Sequence, residues 1–253
     1  MASLNRKELI LNCMRDKNFV TVEYLCSVLY VSGATIRRDL KELEESRQIR
    51  RTRGGALLIE GIANEDPLAM RENRNEMQKQ IIASQACKFI KDGMTLFLDS
   101  SSTVFILARN LDQFSNLRII TNGVKTVLLL SDRKDIAVMC TGGSLRSGSK
   151  SLVGQSAVEY AGRFNADAVF MSSRGFSLSG GSTEASEDEY FIKREFISKS
   201  KEKYLLCDTS KMNSDYLCRT APLTAFTEVI TESQEVNALC RKHKKESCAK
   251  RPL

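Results

Sequence analysis

The chain has 253 residues and an ordinary apolar content of 42%, which is enough for two domains with separate cores. It contains no apolar run of about 18 residues and no signal-peptide core near Met1, so we expect a cytoplasmic protein without a membrane span. The net charge of +7 arises at the two ends, where residues 1–59 hold 11 Lys/Arg against 7 Asp/Glu and residues 241–253 hold 6 against 1. A basic N-terminal segment is typical of proteins that bind DNA.

Two helices and a short turn are predicted at the start of the chain. Apolar residues at helical spacing predict a helix over 4–15, and Thr21 can cap a second helix over 22–30. The tripeptide Val31-Ser32-Gly33 is the short, glycine-containing turn that a helix-turn-helix needs between its crossing helices.

The third helix has the composition of a DNA recognition helix. Ser32 is a suitable N-cap, and apolar residues at 36, 40 and 43 would face a core. Arg37, Arg38 and Lys41 then point outward, with Thr35 near the N-terminus, which suits the major groove. The alternative is an ordinary solvated helix with a basic side.

Residues 48–57 predict a basic hairpin, or wing, with arginines placed beside phosphates or in a minor groove. The full set of residues predicted to contact DNA is Thr21, Ser32, Thr35, Arg37, Arg38, Lys41, Arg50, Arg51 and Arg53.

A second, larger domain is predicted after a linker. A helix is expected near 76–90, and then short apolar strands alternate with Gly/Ser/Thr-rich turns and helices, which favours a largely parallel α/β sheet. The five predicted strands are 94–98, 117–120, 136–140, 168–171 and 203–207. We expect domain boundaries at 1–58 for the DNA-binding domain, 59–75 for the linker, 76–236 for the α/β domain and 237–253 for a basic tail. Residues 241–253 of this tail are expected to be a solvated basic extension.

The turns after these strands carry the second functional signal. Ligands of open α/β sheets bind just outside the carboxyl ends of the strands, and a helix that opens on serines favours an anion such as phosphate. The alternative for each turn is a simple cap on the following helix. The candidate ligand contacts at these turns are Asp99, Ser100, Ser102, Thr103, Thr121, Asn122, Gly142, Gly143, Arg174, Asp208 and Lys211.

Metal and cofactor chemistry find little support in the sequence. The eight cysteines include no C-x-x-C pair, and the one histidine, His243, stands in the basic tail. No GxGxxG or Walker motif occurs, so we predict no metal and no cofactor.

Several motifs together resemble the DeoR family of bacterial transcription regulators over nearly the whole chain. Residues 35–40, T-I-R-R-D-L, match its recognition helix, and 53–56, R-G-G-A, match the end of its wing. In the second domain, 99–103 resembles the family's D-x-G-[ST]-T loop, 121–123 its T-N-[NS] turn and 208–211 its D-x-S-K element, and Gly142-Gly143 and Gly154 match its glycines.

The resemblance implies a winged helix-turn-helix followed by a larger, isomerase-like α/β sensor domain with a Rossmann-like, mostly parallel sheet. It implies an oligomeric (dimeric or tetrameric) repressor of a sugar-catabolism operon, released from operator DNA by a phosphorylated sugar or a related metabolite. Lys193 would lie near the ligand pocket. Six of the residues at the turns would line it: Asp99, Ser102, Thr103, Gly142, Gly143 and Lys211.

The chain departs from the family pattern at several positions. Ser101 replaces a glycine, Arg174 stands in a segment that tends to be G-A-[NS]-G, Glu232 replaces an aspartate, and no final apolar strand follows Leu239. Arg174 could contact a phosphate or carboxylate, or it could pair with Glu184, Glu187, Asp188 or Glu189 and close the site.

Two other functions remain open at this point. Ser101 and Arg174 fit a DNA-binding protein whose sensor pocket is defunct. A sugar-phosphate isomerase or transferase with an added DNA-binding domain would use Lys211 and Asp99 as general acid and base. The sequence also leaves activation and repression open.

Overall fold

Two separate units make up the chain, divided between residues 64 and 65. The computed structural model describes residues 3–15, 19–46, 48–52, 54–58 and 68–249. In this described part, no helix is long and apolar enough to span a bilayer.

The first unit combines three helices with a small antiparallel sheet of strand order β1-β3-β2. Its elements are α1 (Ser3–Arg15), β1 (Phe19–Thr21), α2 (Val22–Leu29), α3 (Gly33–Glu45), β2 (Ile49–Thr52) and β3 (Gly55–Leu58). The three predicted helices and the hairpin are confirmed, and Thr52 pairs with Gly55 at the hairpin's end. The sequence did not predict β1, because three residues are too few for a strand period to be visible.

One apolar core holds the first unit together. It takes Ile10 from α1, Leu25 from α2, Ile36 and Leu40 from α3 and Ile49 from β2, all 1% exposed or less. These α3 residues are four apart, so they lie on one face of the helix and leave the intervening basic residues outside.

The second unit is built on a six-stranded parallel sheet of order β14-β12-β9-β4-β5-β6. The five predicted strands correspond to β4, β5, β6, β9 and β12 of this sheet, and β14 was not predicted as a strand from the pattern. The elements of the unit are α4 (Leu68–Asn73), α5 (Glu76–Cys87), β4 (Thr95–Leu98), α6 (Ser102–Arg109), β5 (Leu117–Thr121), α7 (Val124–Leu130), β6 (Ile136–Cys140), β7 (Ser144–Arg146), β8 (Ser151–Val153), α8 (Gln155–Ala161), β9 (Ala166–Met171), β10 (Gly175–Ser177), β11 (Gly181–Glu184), α9 (Glu187–Ser198), β12 (Ser200–Leu206), β13 (Cys218–Ala221), β14 (Glu228–Ile230) and α10 (Gln234–Ala249).

Both faces of this sheet are covered, as a parallel sheet requires. On one face, Leu98 and Phe170 pack with residues of α5 and α6. On the other face, Phe97 stacks on Phe196 of α9 with ring centroids 4.5 Å apart. Alternate side chains of β4 therefore pack into two different cores, one on each face of the sheet. The polar turns lie at the ends of the strands.

Two segments differ from the expectations. Part of the predicted linker is helical, since α4 begins at Leu68. The segment 237–253, expected as a basic tail, is helical as far as Ala249 and forms most of α10, and Asn237 and Cys240 at its start are buried. Cys240 therefore belongs to the core of the second unit, whereas residues 241–247 of the same helix are exposed or half-buried. The last four residues lie outside the described part.

Gly143 is expected to tolerate no side chain. Its φ is +100°, and an added Cβ would lie 2.4 Å from the carbonyl oxygen of Val153. Gly142 has φ +67° but no atom within 4 Å of an added Cβ. Gly143→Ala should therefore lower the free energy of unfolding by about 2 kcal/mol or more, against about 1 kcal/mol for Gly142→Ala. Urea unfolding followed by circular dichroism compares the two, and equal losses would contradict the prediction.

Candidate nucleic-acid interface and candidate ligand site

The recognition helix α3 begins with a side-chain cap. The Ser32 Oγ accepts a hydrogen bond from the Thr35 backbone N–H at 3.3 Å and lies 3.0 Å from the Thr35 Oγ1. Both hydroxyls therefore contribute to the helix start, where free N–H groups need partners. Thr21 has a similar role at α2, because its Oγ1 accepts from the Tyr24 N–H at 3.1 Å.

The inner face of α3 includes a charged residue that the sequence analysis did not single out. Asp39 is 1% exposed, and its two carboxylate oxygens accept from the Arg6 guanidinium at 2.5 and 3.0 Å. This bidentate pair ties α3 to α1 and fixes the rotation of α3 about its axis. The Asp in the T-I-R-R-D-L motif is thus a structural residue, and the preceding arginines are the exposed ones.

The outer face of α3 is basic. Arg37, Arg38 and Lys41 are all exposed. Lys41 lies 3.8 Å from Glu45, but both side chains are about two-thirds exposed, so this pair is weak and leaves the lysine available. The helix therefore presents arginines near its N-terminal end, as a helix that enters the major groove does.

The wing contributes one arginine that the structure describes in full. Arg51 on β2 is exposed, and its backbone N–H donates to the Glu44 carboxylate at 2.8 Å, which joins the wing to the end of α3. Arg50 lies on the same strand, but its side chain is outside the described part, as is Arg53 altogether.

Tyr30 is an additional surface residue that the sequence analysis missed. It closes α2 in the left-handed region at φ +54° and is 92% exposed, immediately before the turn into α3. A tyrosine hydroxyl at this turn could donate to a DNA phosphate.

A small polar cavity lies at the carboxyl ends of β4, β9 and β12. Its volume is about 40 Å³, close to that of one or two water molecules. The cavity is lined by Arg71, Ser100, Ser101, Ser172, Ser173, Arg174, Glu184, Glu189, Lys193 and Lys211.

Four of the predicted ligand contacts line this cavity: Ser100, Arg174, Lys193 and Lys211. The others lie around it. Ser102 and Thr103 are buried in the first turn of α6, Asn122 is fully buried, and Thr121 uses its Oγ1 to accept from the Gly123 N–H at 3.0 Å. Among the described residues, Thr103 Oγ1 and Asn122 Oδ1 find no hydrogen-bond partner.

The two glycines of the third turn are exposed and do not line the cavity. At Gly143 the atom that an added Cβ would meet is the Val153 carbonyl oxygen of this chain.

Asp99 lies beneath the cavity and organises it. It is fully buried, and its Oδ1 accepts from the backbone N–H and the hydroxyl of Ser101 at 3.0 and 2.5 Å. Its Oδ2 accepts from the Ser172 N–H at 3.0 Å. Ser101, which replaces the glycine of the family pattern, is the N-cap of α6 and accepts from the Val104 N–H at 3.3 Å. Ser101 therefore both caps a helix and lines the cavity.

Lys193 joins three elements at the cavity floor. Its ammonium donates to Glu184 at 2.6 Å and to the Ser172 carbonyl at 3.0 Å, and it lies 3.3 Å from Asp99. Burial alone would lower the pKa of Lys193, but the carboxylates of Glu184, Asp99 and Glu189 hold that pKa above its ordinary value. Lys193 is therefore a permanent positive charge, and it is already neutralised by the protein.

Lys211 and Arg174 are the cations nearer the cavity mouth. The Lys211 ammonium donates to the Ser172 hydroxyl at 3.0 Å and to the Ser173 carbonyl at 2.8 Å. The Arg174 guanidinium lies over the ring of Tyr216, 5.7 Å from its centroid. Glu184 pairs with Lys193, and Glu189 pairs with Arg146 at 3.3 Å, so these two carboxylates already have cationic partners.

Asp208 does not line the cavity, but its carboxylate interacts electrostatically with Lys211. It is 2% exposed and accepts from the side chains of Asn75, at 3.0 Å, and Ser210. Burial opposes ionisation of Asp208, yet Lys211, Ser210 and Asn75 hold the pKa of its carboxyl below the usual value. The carboxylate is therefore charged at neutral pH.

Arg71, Ser172 and Ser173 line the cavity although the sequence patterns did not predict them, and Glu184 and Glu189 were predicted only as partners of Arg174. Arg71 stands in the segment that was interpreted as linker, on α4. For Ser172 and Ser173 the sequence did contain a signal, since both follow directly on a predicted strand. The glutamates come from β11 and α9, and only the packed chain brings them to this edge.

Lys79 on α5 is buried near the same cations. Its ammonium donates to the carbonyls of Arg71 and Arg74. Burial and the positive charges of Lys211, Arg71 and Arg74 lower the pKa of Lys79 to about 8.

The depressed pKa of Lys79 predicts a pH dependence of stability. Between about pH 8 and pH 10.5 the unfolded chain holds a proton on this lysine that the folded chain has released. Stability should therefore rise with pH in that window in the wild type relative to Lys79→Met. Urea unfolding of both proteins at several pH values measures the difference. Lys88→Met, an exposed change at the end of the same helix, is the control and should run parallel to the wild type.

No cluster of three or more His, Cys, Asp or Glu residues that could hold a metal ion occurs in the described ranges. The polar groups around the cavity are instead hydroxyls, cations and two carboxylates, which suit an organic anion that carries hydroxyl groups.

Comparison with known proteins identifies both units. Residues 6–61 match the model of the DeoR-like helix-turn-helix domain, and residues 74–233 match that of the DeoR C terminal sensor domain. A recognition helix with a wing, joined to a sensor domain, defines a DNA-binding transcriptional regulator. The chain belongs to the DeoR family.

Full-length relatives are similar along almost the whole chain. The HTH-type transcriptional regulator GolR of Listeria innocua is 34% identical over 96% of this chain and 95% of its own length. The HTH-type transcriptional repressor GlcR of Bacillus subtilis is 32% identical, covering 91% and 89%. The glycerol-3-phosphate regulon repressor of Escherichia coli is 30% identical, covering 92% of each chain.

Solved structures add little to this. Ribose 5-phosphate isomerase A of Methanocaldococcus jannaschii aligns with a TM-score of 0.41 at 17% identity, over 55% of each chain. A likeness at that level carries no argument about activity.

Proposed function

We propose that this regulator represses a carbohydrate-catabolism operon and releases its operator when a phosphorylated sugar binds at the cavity of the second unit. The observation that carries the proposal is the set of cations and hydroxyls around one cavity at the carboxyl edge of the sheet. Arg71, Arg174 and Lys211 can balance a phosphate, and the serines can donate to its oxygens.

Repression and the ligand class are supported by the relatives. Two of them are named repressors, and one of these is named for the glycerol-3-phosphate regulon. We also propose that the protein acts in the cytoplasm, where its operator DNA is, as a dimer or tetramer that presents two recognition helices to repeated half-sites. We propose a purely regulatory role, without catalysis by Lys211 and Asp99.

On the DNA side, Arg37 and Thr35 are proposed to read bases. Arg38, Lys41, Arg51 and Arg53 hold phosphates, with Arg50 beside them on the wing. Thr21 and Ser32 act chiefly as helix caps that set the position of α2 and α3.

The cavity volume of about 40 Å³ is smaller than a sugar phosphate needs, so binding requires the cavity to open. The small volume is also the observation that favours a second candidate, a regulator whose pocket no longer binds a ligand. The two differ in whether any phosphorylated sugar weakens the binding of DNA.

Fluorescence anisotropy tests the proposal. The protein is titrated onto labelled DNA from upstream of its own gene, with random DNA as competitor, and a panel of phosphorylated and unphosphorylated sugars is then added. Release of specific DNA by one phosphorylated compound and not by its unphosphorylated counterpart is expected. Specific binding that no compound changes would support the defunct pocket, and conversion of a sugar phosphate to product would support an enzyme.

A further inference from the structure

Glu189 has one carboxylate oxygen that the protein uses and one that it does not. Its Oε1 accepts from the Ser151 hydroxyl at 2.5 Å and from Arg146 at 3.3 Å. Ser151 is in turn 2.6 Å from the Ser149 hydroxyl, so the orientation of the carboxylate is fixed. Glu189 is only 4% exposed, and its Oε2 is buried. Nevertheless this oxygen has no hydrogen-bond partner among the described residues.

A hydrogen-bond donor placed beside the Glu189 Oε2 would stabilise this oxygen. A buried carboxylate oxygen without a hydrogen bond loses its hydration without compensation, which costs free energy. Glu189 lines the same cavity as Arg71, Arg174 and Lys211. The cavity thus combines cations with one acceptor that lacks a donor.

The charges decide which part of a ligand can meet Glu189. A phosphate is repelled by this carboxylate and attracted by the three cations, so the anionic end of a ligand belongs beside the cations. A neutral hydroxyl can donate to Glu189 without such repulsion. The two needs are met together by a molecule with a phosphate at one end and a hydroxyl some bonds away.

We infer that Glu189 is the residue that selects hydroxylated over plain phosphate esters, by accepting a hydrogen bond from a ligand hydroxyl at its Oε2. The inference rests on the proposed function, since it concerns the same cavity, and it adds the chemical feature that the ligand must carry. Glu184, by contrast, is occupied by Lys193 and acts in the cavity floor.

The test compares matched pairs of ligands on the full chain. Glycerol 3-phosphate, ribose 5-phosphate and glucose 6-phosphate are titrated by calorimetry against propyl, pentyl and hexyl phosphate, which lack the hydroxyls. For the wild type, the best polyol phosphate should bind about tenfold more tightly, or better, than its alkyl partner. In Glu189→Gln this ratio of affinities should fall towards one. In Glu189→Met the preference for the polyol phosphate should be lost, so that the ratio is one.

The ratio separates selection from simple loss of charge. Removal of a negative charge near the cavity strengthens the binding of every anion, so alkyl phosphates should bind these variants at least as well as the wild type. That binding also shows that the variants are folded. The control Glu187→Gln removes a charge from an exposed position two residues away and should keep the wild-type ratio.

The outcomes keep the two proposals apart. Alkyl and polyol phosphates that bind the wild type equally, or a ratio that survives Glu189→Met, would overturn the role of Glu189 and leave a phosphate-binding sensor. A wild type that binds no phosphate ester would overturn both proposals.

Discussion

Replacing Lys193 by methionine is expected to lower the free energy of unfolding of the second unit by about 3–5 kcal/mol. The lysine is 5% exposed and is the cation shared by Glu184 and Asp99, at 2.6 and 3.3 Å. Its removal leaves two buried carboxylates without a countercharge, which is far costlier than the loss of an exposed ion pair. The measurement is urea unfolding followed by far-UV circular dichroism.

A matched variant and a pH series sharpen this test. Lys201→Met breaks an ion pair with Asp167 in which the lysine side chain is 75% exposed, and it should cost at most about 1 kcal/mol. Burial raises the pKa of Glu184 and Lys193 opposes that rise, so without the lysine the folded variant binds a proton that the unfolded chain releases. The deficit of Lys193→Met should therefore shrink as the pH falls. A loss no larger than that of Lys201→Met would contradict the burial of this network.

Replacing Arg37 by alanine is expected to weaken binding to the specific operator by about 1–3 kcal/mol and to relax the base preference at one position. The side chain is exposed near the N-terminus of α3, where a recognition helix meets base edges. Its neighbour Arg38, also exposed, is proposed to contact phosphate. Arg38→Ala should weaken specific and random DNA alike and lower the salt slope by about one.

The comparison uses an operator selected by the wild-type protein from a randomised library, with affinities measured at several salt concentrations. Each arginine variant serves as the control of the other, because both lose the same charge from adjacent positions of one helix. Equal weakening of specific and random DNA by Arg37→Ala would show that Arg37 does not read bases.

Local signals explain why so much of the first unit could be predicted. A helix is fixed by contacts three and four residues apart and by its cap, so Ser32, Ile36 and Leu40 suffice to define α3 and its buried face. The role of Asp39 could not be predicted in this way. Its partner Arg6 is 33 residues away, and sequence spacing does not reveal that they meet.

The second unit shows the same division. Five of the six strands of the parallel sheet, each with its polar turn, are visible in the sequence, and this was enough to predict that Ser100, Arg174 and Lys211 lie at one edge of the sheet, where they line the cavity. The exclusion of Asp208 and of Gly142-Gly143 from the cavity lining depended on the sheet order, which sets which strand ends are neighbours. The helical tail escaped prediction because Cys240 is a weak apolar signal among basic residues, and only the core it enters makes it buried.

The sequence by itself therefore determined the winged helix-turn-helix, the parallel α/β sheet and the family, because these depend on periodicity, caps and motifs within short stretches. Only the tertiary structure decided which charges share the cavity. Arg71 of α4 lies far along the chain from Glu184 of β11 and Glu189 of α9, yet all three line the cavity. These residues meet because of the strand order and of the packing on the two faces of the sheet. Strand order and packing depend on contacts between residues that are distant in the sequence.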